Sequence, residues 1–319
     1  MILVLLLALS APADNVAPPP RVVGELVELK TDTGTLYGTI DLPATPGPWP
    51  VVLIHAGSGP TDRDGNGPGI WTNCLKMVGR GLAAEGLATL RIDKRGIAAS
   101  AKAMKSEKEI RIDTYAVDVV AWVAMLRKDS RFTKVGFIGH SEGTLIGLIA
   151  AKEAKFDAFV ALCGAGRPLQ DVLREQLKKN LSDELYKKSE AIITELEADR
   201  TVKDVPKDLA ALFRPSVQPY LISVFQRDPV KLASEVKVPF LIVSGSTDIQ
   251  IAAADAKRLS DANPKGKLVT IEGMNHVLKA VKETDRSHQL PSYFNPTLPL
   301  HPKLMPELVS FFKKSLVGK

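Results

Sequence analysis

Residues 135–148 read "VGFIGHSEGTLIGL". The stretch opens as a short apolar β-type run and closes as a small-residue helical pattern, with Gly139-His140-Ser141-Glu142-Gly143 at the junction. In a chain of 319 residues five such letters can arise by chance, so their surroundings decide the reading. A tight strand-to-helix turn needs small residues around its apex because the two backbones pass closely, which gives Gly139 and Gly143 a purpose. The same turn thrusts the Ser141 hydroxyl outward at a helix N-terminus. The plainer reading of a serine there is a helix cap.

The elements on either side alternate. "VVGELVELKT" and "LYGTIDL", around Asp32-Thr33-Gly34, predict an antiparallel hairpin between Val22 and Leu42. "WPVVLIHAG" is a nearly continuous apolar strand of the kind buried on both faces of a parallel sheet. A helix over "WTNCLKMVGRGLAAEG", a strand over "LATLRID" and a helix over "TYAVDVVAWVAMLRKD" lead to the strand that ends at Ser141. Beyond it come a helix to about Lys155 and the strand "FDAFVALCGA". Charged amphipathic segments such as "LQDVLREQLKKNL" then interrupt the alternation, and strands resume at "VPFLIVSGS" and "GKLVTIEG", with a helix at the C-terminus. The expected fold class is α/β, a mostly parallel, doubly wound sheet with a helical cap insertion. Its divisions are 1–20 signal peptide and leader, 21–166 first part of the core, 167–228 cap, and 229–319 second part of the core.

Composition narrows the function classes. An apolar content of 45% supports a sizeable core, and 42 basic residues are interleaved with 36 acidic ones, giving a net charge of +6 without a basic arm. That pattern reads as a solvated surface and argues against nucleic acid as a partner. The run Ile2 to Leu9, followed by Ala11-Pro12-Ala13, suits an export signal and is too short to span a bilayer as a mature helix. An exported mature chain starting near Asp14, with no integral membrane segment, is expected. Cys74 and Cys163 sit in apolar settings and read as buried free thiols. The acidic "TDRDGNG" at 61–67 lacks the closing glutamate of a calcium loop, and no Cys/His cluster has zinc spacing, so no metal is expected.

In such a sheet, active sites lie beyond the carboxyl ends of the strands. Ser141 stands at one of them. A neutral serine is a weak nucleophile and needs a base. Of five histidines, His140 points away from Ser141's side of a sharp turn, His55 belongs to another strand end, and His288 and His301 lie in loop-like sequence. His276, in "IEGMNHVLK", follows a strand and a glycine and is the candidate base. Asp248, just past the strand in "FLIVSGSTDIQI", is the carboxylate to fix the imidazole tautomer, unless it is simply an N-cap. Oxyanion donors are expected from the backbone N–H of Glu142 and from the loop "HAGSGP", with Ser58 the first choice and Gly57 the second.

The motifs "GSGPTDRDGN", "LRIDKRG", "GHSEG", "GSTDIQI" and "GMNHVLK", in that order and followed by "YFNPTLPLHP", resemble the α/β-hydrolase superfamily. More narrowly they resemble bacterial carboxylesterases of the dienelactone-hydrolase-like, serine-aminopeptidase-like group. The resemblance runs from Val22 to the C-terminus, apart from the cap. It departs from the usual "RGIGxS" at Ala98, and "HAGSGP" carries Ala56. It implies that Asp62, Arg63 and Asp64 brace the loop through Asp93 or Arg95. It further implies a cofactor-free serine hydrolase acting on small-molecule carboxylic esters with short to medium acyl chains. Amide cleavage, as in serine aminopeptidases, and a non-catalytic binding protein on the same fold stay open at this point.

Overall fold

The computed structural model describes residues 22–318; the Ile2–Leu9 run and the Ala11-Pro12-Ala13 site lie outside them. Strands β1 (Val23–Thr31) and β2 (Gly34–Leu42) pair antiparallel around the two-residue turn Asp32-Thr33. Next come β3 (Trp49–His55), α1 (Cys74–Ala84), β4 (Ala88–Ile92), α2 (Ile112–Lys128), β5 (Phe132–His140) and α3 (Glu142–Ala154). These are followed by β6 (Ala158–Leu162), then the inserted helices α4 (Leu169–Asn180), α5 (Asp183–Glu197), α6 (Ala210–Phe213) and α7 (Gln218–Phe225). Helix α8 (Pro229–Glu235), capped by the Asp228 carboxylate, returns the chain to β7 (Phe240–Gly245), α9 (Ala253–Ala262) and β8 (Lys267–Ile271). The short α10 (Arg286–Gln289) and α11 (Leu304–Phe312) close the order.

The strands form one sheet in the order β1-β2-β4-β3-β5-β6-β7-β8, antiparallel at β1/β2 and β2/β4 and parallel from β4 to β8. Alternate residues of one strand feed opposite cores, as the two-residue period requires. Leu53, Phe137 and Phe159 face Trp122 and the α2–α3 side, whereas Val52, Ile54, Ile138 and Val160 face Leu75, Leu308 and Phe312 on the α1–α11 side. Burial on both faces explains why the central strands read as unbroken apolar runs.

After β3 the chain steps outward to β4 and then crosses to β5 on the other flank of β3. The carboxyl ends of β3 and β5 therefore open a crevice where the winding reverses, the place where α/β sheets bind ligands. The inserted helices carry a small apolar cluster of their own, around Leu173, Ile193, Leu196, Phe213 and Leu221.

At the end of β4 three consecutive charges, Asp93, Lys94 and Arg95, are all buried. Arg95 donates from Nε to Asp118 Oδ2 of α2 at 3.0 Å and from its terminal nitrogen to Oδ1 at 2.5 Å. This fork ties the segment after β4 to α2. Asp118→Ala leaves the guanidinium buried without its counter-charge, and the expected loss is about 3–5 kcal/mol of unfolding free energy. Chemical denaturation of the single variant and of Asp118→Ala/Arg95→Met checks this: the double variant recovers much of the loss, and equal losses in both contradict the account.

Candidate active site

The turn from β5 to α3 places Ser141 at φ 55° and ψ −125°, a conformation that costs a non-glycine residue on the order of 1–3 kcal/mol. Its surroundings hold it there. The Ser141 N–H donates to the Leu162 carbonyl at 2.9 Å, and the Thr144 hydroxyl donates to the Gly139 carbonyl at 2.7 Å. A Cβ on Gly139 would lie 2.3 Å from the Gly143 carbonyl oxygen, and one on Gly143 would lie 2.5 Å from that of His55. Only glycines let strand, helix and the neighbouring strand end approach so closely. Because β6 takes up the Ser141 N–H, the amide left to face the crevice is that of Glu142, at the first position of α3, where helical N–H groups lack intrahelical partners.

Asp248 follows β7 and His276 follows β8. The two loops are stitched together by Ser246 N–H to the Ile271 carbonyl and Thr247 N–H to the Met274 carbonyl. His276 Nδ1 lies 2.8 Å from Asp248 Oδ2, and both side chains are buried. Since a carboxylate only accepts, Nδ1 carries the proton and Nε2 is left as a free base. Asp248 Oδ1 accepts from Gln250 and Ile251 N–H at 2.8 and 2.9 Å. Burial alone would raise the Asp248 pKa, but the imidazole and these two amides outweigh it and hold the carboxyl below its ordinary value.

Ser141 opens onto two cavities. One, of about 110 Å³, is walled by Leu145, by Leu169, Val172 and Leu173 of α4, and by Val224 of α7, so the inserted helices roof it. The other, of about 200 Å³, is walled by Gly57, Ile70, Cys74, His140, His276 and Tyr293. Ser58 and Gln250 border both. Ser141 Oγ makes no hydrogen bond to His276 among the described residues. Nucleophile–base contacts of this kind are often long without substrate and tighten when it binds.

Several expectations need correction. His140 does not point away from the site: it borders the cavity, its ring centroid is 5.0 Å from that of His276, and its Nε2 donates to the His276 carbonyl at 2.9 Å. Packing on the His276 loop makes it a brace. Arg63 does pair with Asp93, at 2.7 Å, but Arg95 turns to Asp118, and Asp64 pairs with Arg91. Asp62 accepts from the N–H groups of Asp64 and Asn66 and so shapes its own turn. Ala98, where the resembled group has glycine, sits at φ 46°, a conformation glycine would adopt without strain. His288 is exposed and pairs with Asp285, and His301 receives the Lys303 N–H; neither borders the two cavities. Cys74 and Cys163 are buried free thiols.

Sequence reasoning passed over Lys94, whose Nζ reaches the Gly57–Gly59 loop, and Asn275, whose amide donates to Gln289 and Ser292 behind His276. The clue to Lys94 was a run of three charges directly after a buried strand. Among the described residues, one set of potential metal ligands comes together, His140, Cys163 and His276, with donor atoms within 4.8 Å of one another. Each ring commits one nitrogen to the bonds just described and keeps the other, and burial pushes the pKa of the Cys163 thiol well up.

The family model for serine aminopeptidase, S33, matches residues 71–284. The chain belongs to this family. Esterase EstD of Thermotoga maritima is 29% identical over 250 residues, covering 76% of this chain and 58% of that protein. The chain thus spans less than two thirds of that relative's length. Among solved structures, Est1E of Butyrivibrio proteoclasticus with ferulic acid bound aligns at a TM-score of 0.63 and 18% identity, over 92% of this chain and 100% of that one. Dienelactone hydrolase from Anabaena variabilis aligns at 0.55 and 17%, over 92% and 99%. At these identities the structural likeness speaks for the fold, which is the α/β-hydrolase fold. No helix among the described residues is long and apolar enough to cross a membrane.

Burial sets the charge state around the site. It drives the His55 pKa down to about 3, helped by Lys94, and the His140 pKa down to about 4, helped by the neighbouring His276 ring. Both stay neutral in the folded protein while the unfolded chain protonates them below about pH 6.5. Stability therefore falls as pH drops from about 6.5 toward 4, because the unfolded state takes up the protons the folded state refuses. Denaturant midpoints at pH 7.5, 6, 5 and 4 check this, and His140→Gln should flatten the lower part of the curve. A midpoint constant down to pH 4 contradicts it.

Proposed function

We propose that this protein hydrolyses carboxylic esters of short to medium acyl chain length through an acyl-Ser141 intermediate. One observation carries the reading: a serine in a strained strand-to-helix turn shares a cavity with an imidazole whose far nitrogen is tied to a carboxylate. In the first half-reaction His276 Nε2 takes the proton of Ser141 Oγ as Oγ bonds to the ester carbonyl carbon. The oxyanion is received by the N–H groups of Glu142 and Ser58, with Gly57 beside them. Collapse breaks the bond to the alkoxide, which leaves with the proton from His276. Water then attacks the acyl-serine, giving its proton to His276, and Oγ recovers that proton as the carboxylic acid departs. Asp248 keeps the imidazole in the productive tautomer and stabilises its cation throughout. The esterase names of EstD and Est1E support this reading.

The family's aminopeptidase description favours a second reading, cleavage at the amino end of peptides. Such an enzyme must hold a substrate ammonium with a carboxylate. Among the described residues the acidic side chain that borders these cavities is Glu142, on the smaller one; burial pushes it toward its neutral form and the charge of Lys94 opposes that. That environment disfavours an ammonium guest, and we assign esters first. The inserted helices over the smaller cavity are proposed to limit acyl length and exclude water. The leading apolar run is proposed to direct export, which sequencing of the N-terminus of an envelope or culture fraction tests.

The expected pattern is that Ser141→Ala lowers turnover of a short-chain nitrophenyl ester by about five to six orders of magnitude, with His276→Ala close behind. Asp248→Asn costs about 10⁴-fold, since serine and histidine remain but the tautomer is wrong. His288→Ala and His301→Ala stay within a few-fold of the parent. Purified variants with matched circular dichroism, assayed on nitrophenyl esters of rising acyl length beside an aminoacyl nitroanilide, decide. A folded Ser141→Ala protein that keeps more than a few per cent of activity, or a preference for the nitroanilide, overturns the assignment.

A further inference from the structure

Lys94 is the middle member of the buried Asp93-Lys94-Arg95 run, and its two neighbours are paired, with Arg63 and with Asp118. Lys94 itself has no carboxylate within ion-pair distance among the described residues. Its Nζ donates instead to the carbonyls of Gly57 and, at 2.9 Å, of Gly59. These two carbonyls flank Ser58. The Gly57 carbonyl and the Ser58 N–H belong to one planar, trans peptide unit, so they point in opposite directions. A cation that holds the oxygen on the buried side turns the N–H toward the crevice. That peptide lies against the nucleophile, since a Cβ built on Gly57 would be 2.9 Å from Ser141 Cβ.

The geometry points to Lys94 as the positioning residue of the oxyanion site: its ammonium orients the Gly57–Ser58 peptide and polarises it, making the Ser58 N–H a stronger donor to the tetrahedral intermediate. This deepens the acyl-serine reading and rests on it. Two physical effects act together. Hydrogen bonds polarise along a chain, so an ammonium on the carbonyl strengthens the N–H across the same amide. A full positive charge also lies one peptide away from the forming oxyanion, in a buried setting where electrostatic effects carry further than in water. The oxyanion benefits and the ground-state ester much less, so the effect belongs in kcat rather than in KM.

The charge on Lys94 is itself weakly held. Burial lowers its pKa to about 8, with Glu142 pulling it back up. The groups facing it are His55 of β3, the Tyr115 ring of α2 at 5.9 Å, Glu142 of α3 and Tyr220 of α7, with the Glu107–Arg214 pair across the adjoining pocket. His55 is neutral far above its depressed pKa, and the pKa values of both tyrosine hydroxyls are raised by burial. Lys94 is thus the group in this set that loses its charge near pH 8, and Glu142 is the one whose charge tunes it.

The experiment measures kcat and KM of the full chain on one nitrophenyl acetate between pH 6 and 10. The parent should show an alkaline fall in kcat centred near pH 8. Lys94→Met should lose on the order of 10²-fold in kcat at pH 7, with KM little changed and no step near pH 8. Glu142→Gln should move the step to lower pH. Lys94→Arg keeps a permanent cation, so its profile should lack the step, which keeps the test alive if the methionine variant fails to fold. A folded Lys94→Met enzyme with kcat within threefold of the parent, or a Lys94→Arg enzyme with the parental step, overturns the inference. A parent protein that neither turns over the ester nor reacts with a fluorophosphonate would instead sink the acyl-serine reading on which it rests.

Discussion

The structure depends on the close passage of three backbones at Ser141. Strand β5 must stop, helix α3 must start at once, and the end of β3 must run beside them, within distances that leave no room for side chains at Gly139 and Gly143. This crowding forces Ser141 into a left-handed conformation that it would not adopt alone. The strain is offset by the packing of the sheet, whose central strands are buried on both faces. The result is a hydroxyl that stands clear of the strand and a helix N-terminus aimed at the same point. Sheet order supplies the remainder: β3 and β5 are neighbours at the reversal of winding, so the loop carrying Gly57 and Ser58 arrives next to the serine without further design.

Around that turn the protein arranges charge by burial. Asp248 stays ionised because three donors compensate for its removal from water, while His140 and His55 stay neutral because burial outweighs the single carbonyl that each ring meets. The neutral His140 ring, its centroid 5.0 Å from that of His276, places no second charge beside it. The carboxylate, the amide network of Asn275 and the His140 contact all grip the His276 loop from different sides. An imidazole held this firmly loses little freedom when substrate arrives, which is what preorganisation means here.

Much of this was legible in the sequence because it is written in periodicity and spacing. Apolar runs between helical stretches announce the parallel strands, and glycines bracketing a serine announce the turn. Asp248 and His276 could be read because each falls just past a strand end. What stayed hidden depends on side chains that meet from distant parts of the chain. The direction of the His140 ring follows from packing on the His276 loop, 136 residues away in sequence, which no local pattern records. The resemblance offered Arg95 to the Asp62–Asp64 stretch, and only the position of α2 gives it Asp118 instead. Lys94 was passed over because a lysine in a charged run is usually solvated.

We propose that the strained turn makes Ser141 a covalent nucleophile. It is tested most directly by acid-quenching the protein within its first turnovers on a nitrophenyl ester, digesting it and weighing the peptides. The expected result is the acyl mass on the peptide that contains Ser141, forming as fast as the first equivalent of nitrophenol and disappearing as substrate is exhausted. Full turnover with no acylated peptide, or an acyl group carried on a different residue, would contradict it.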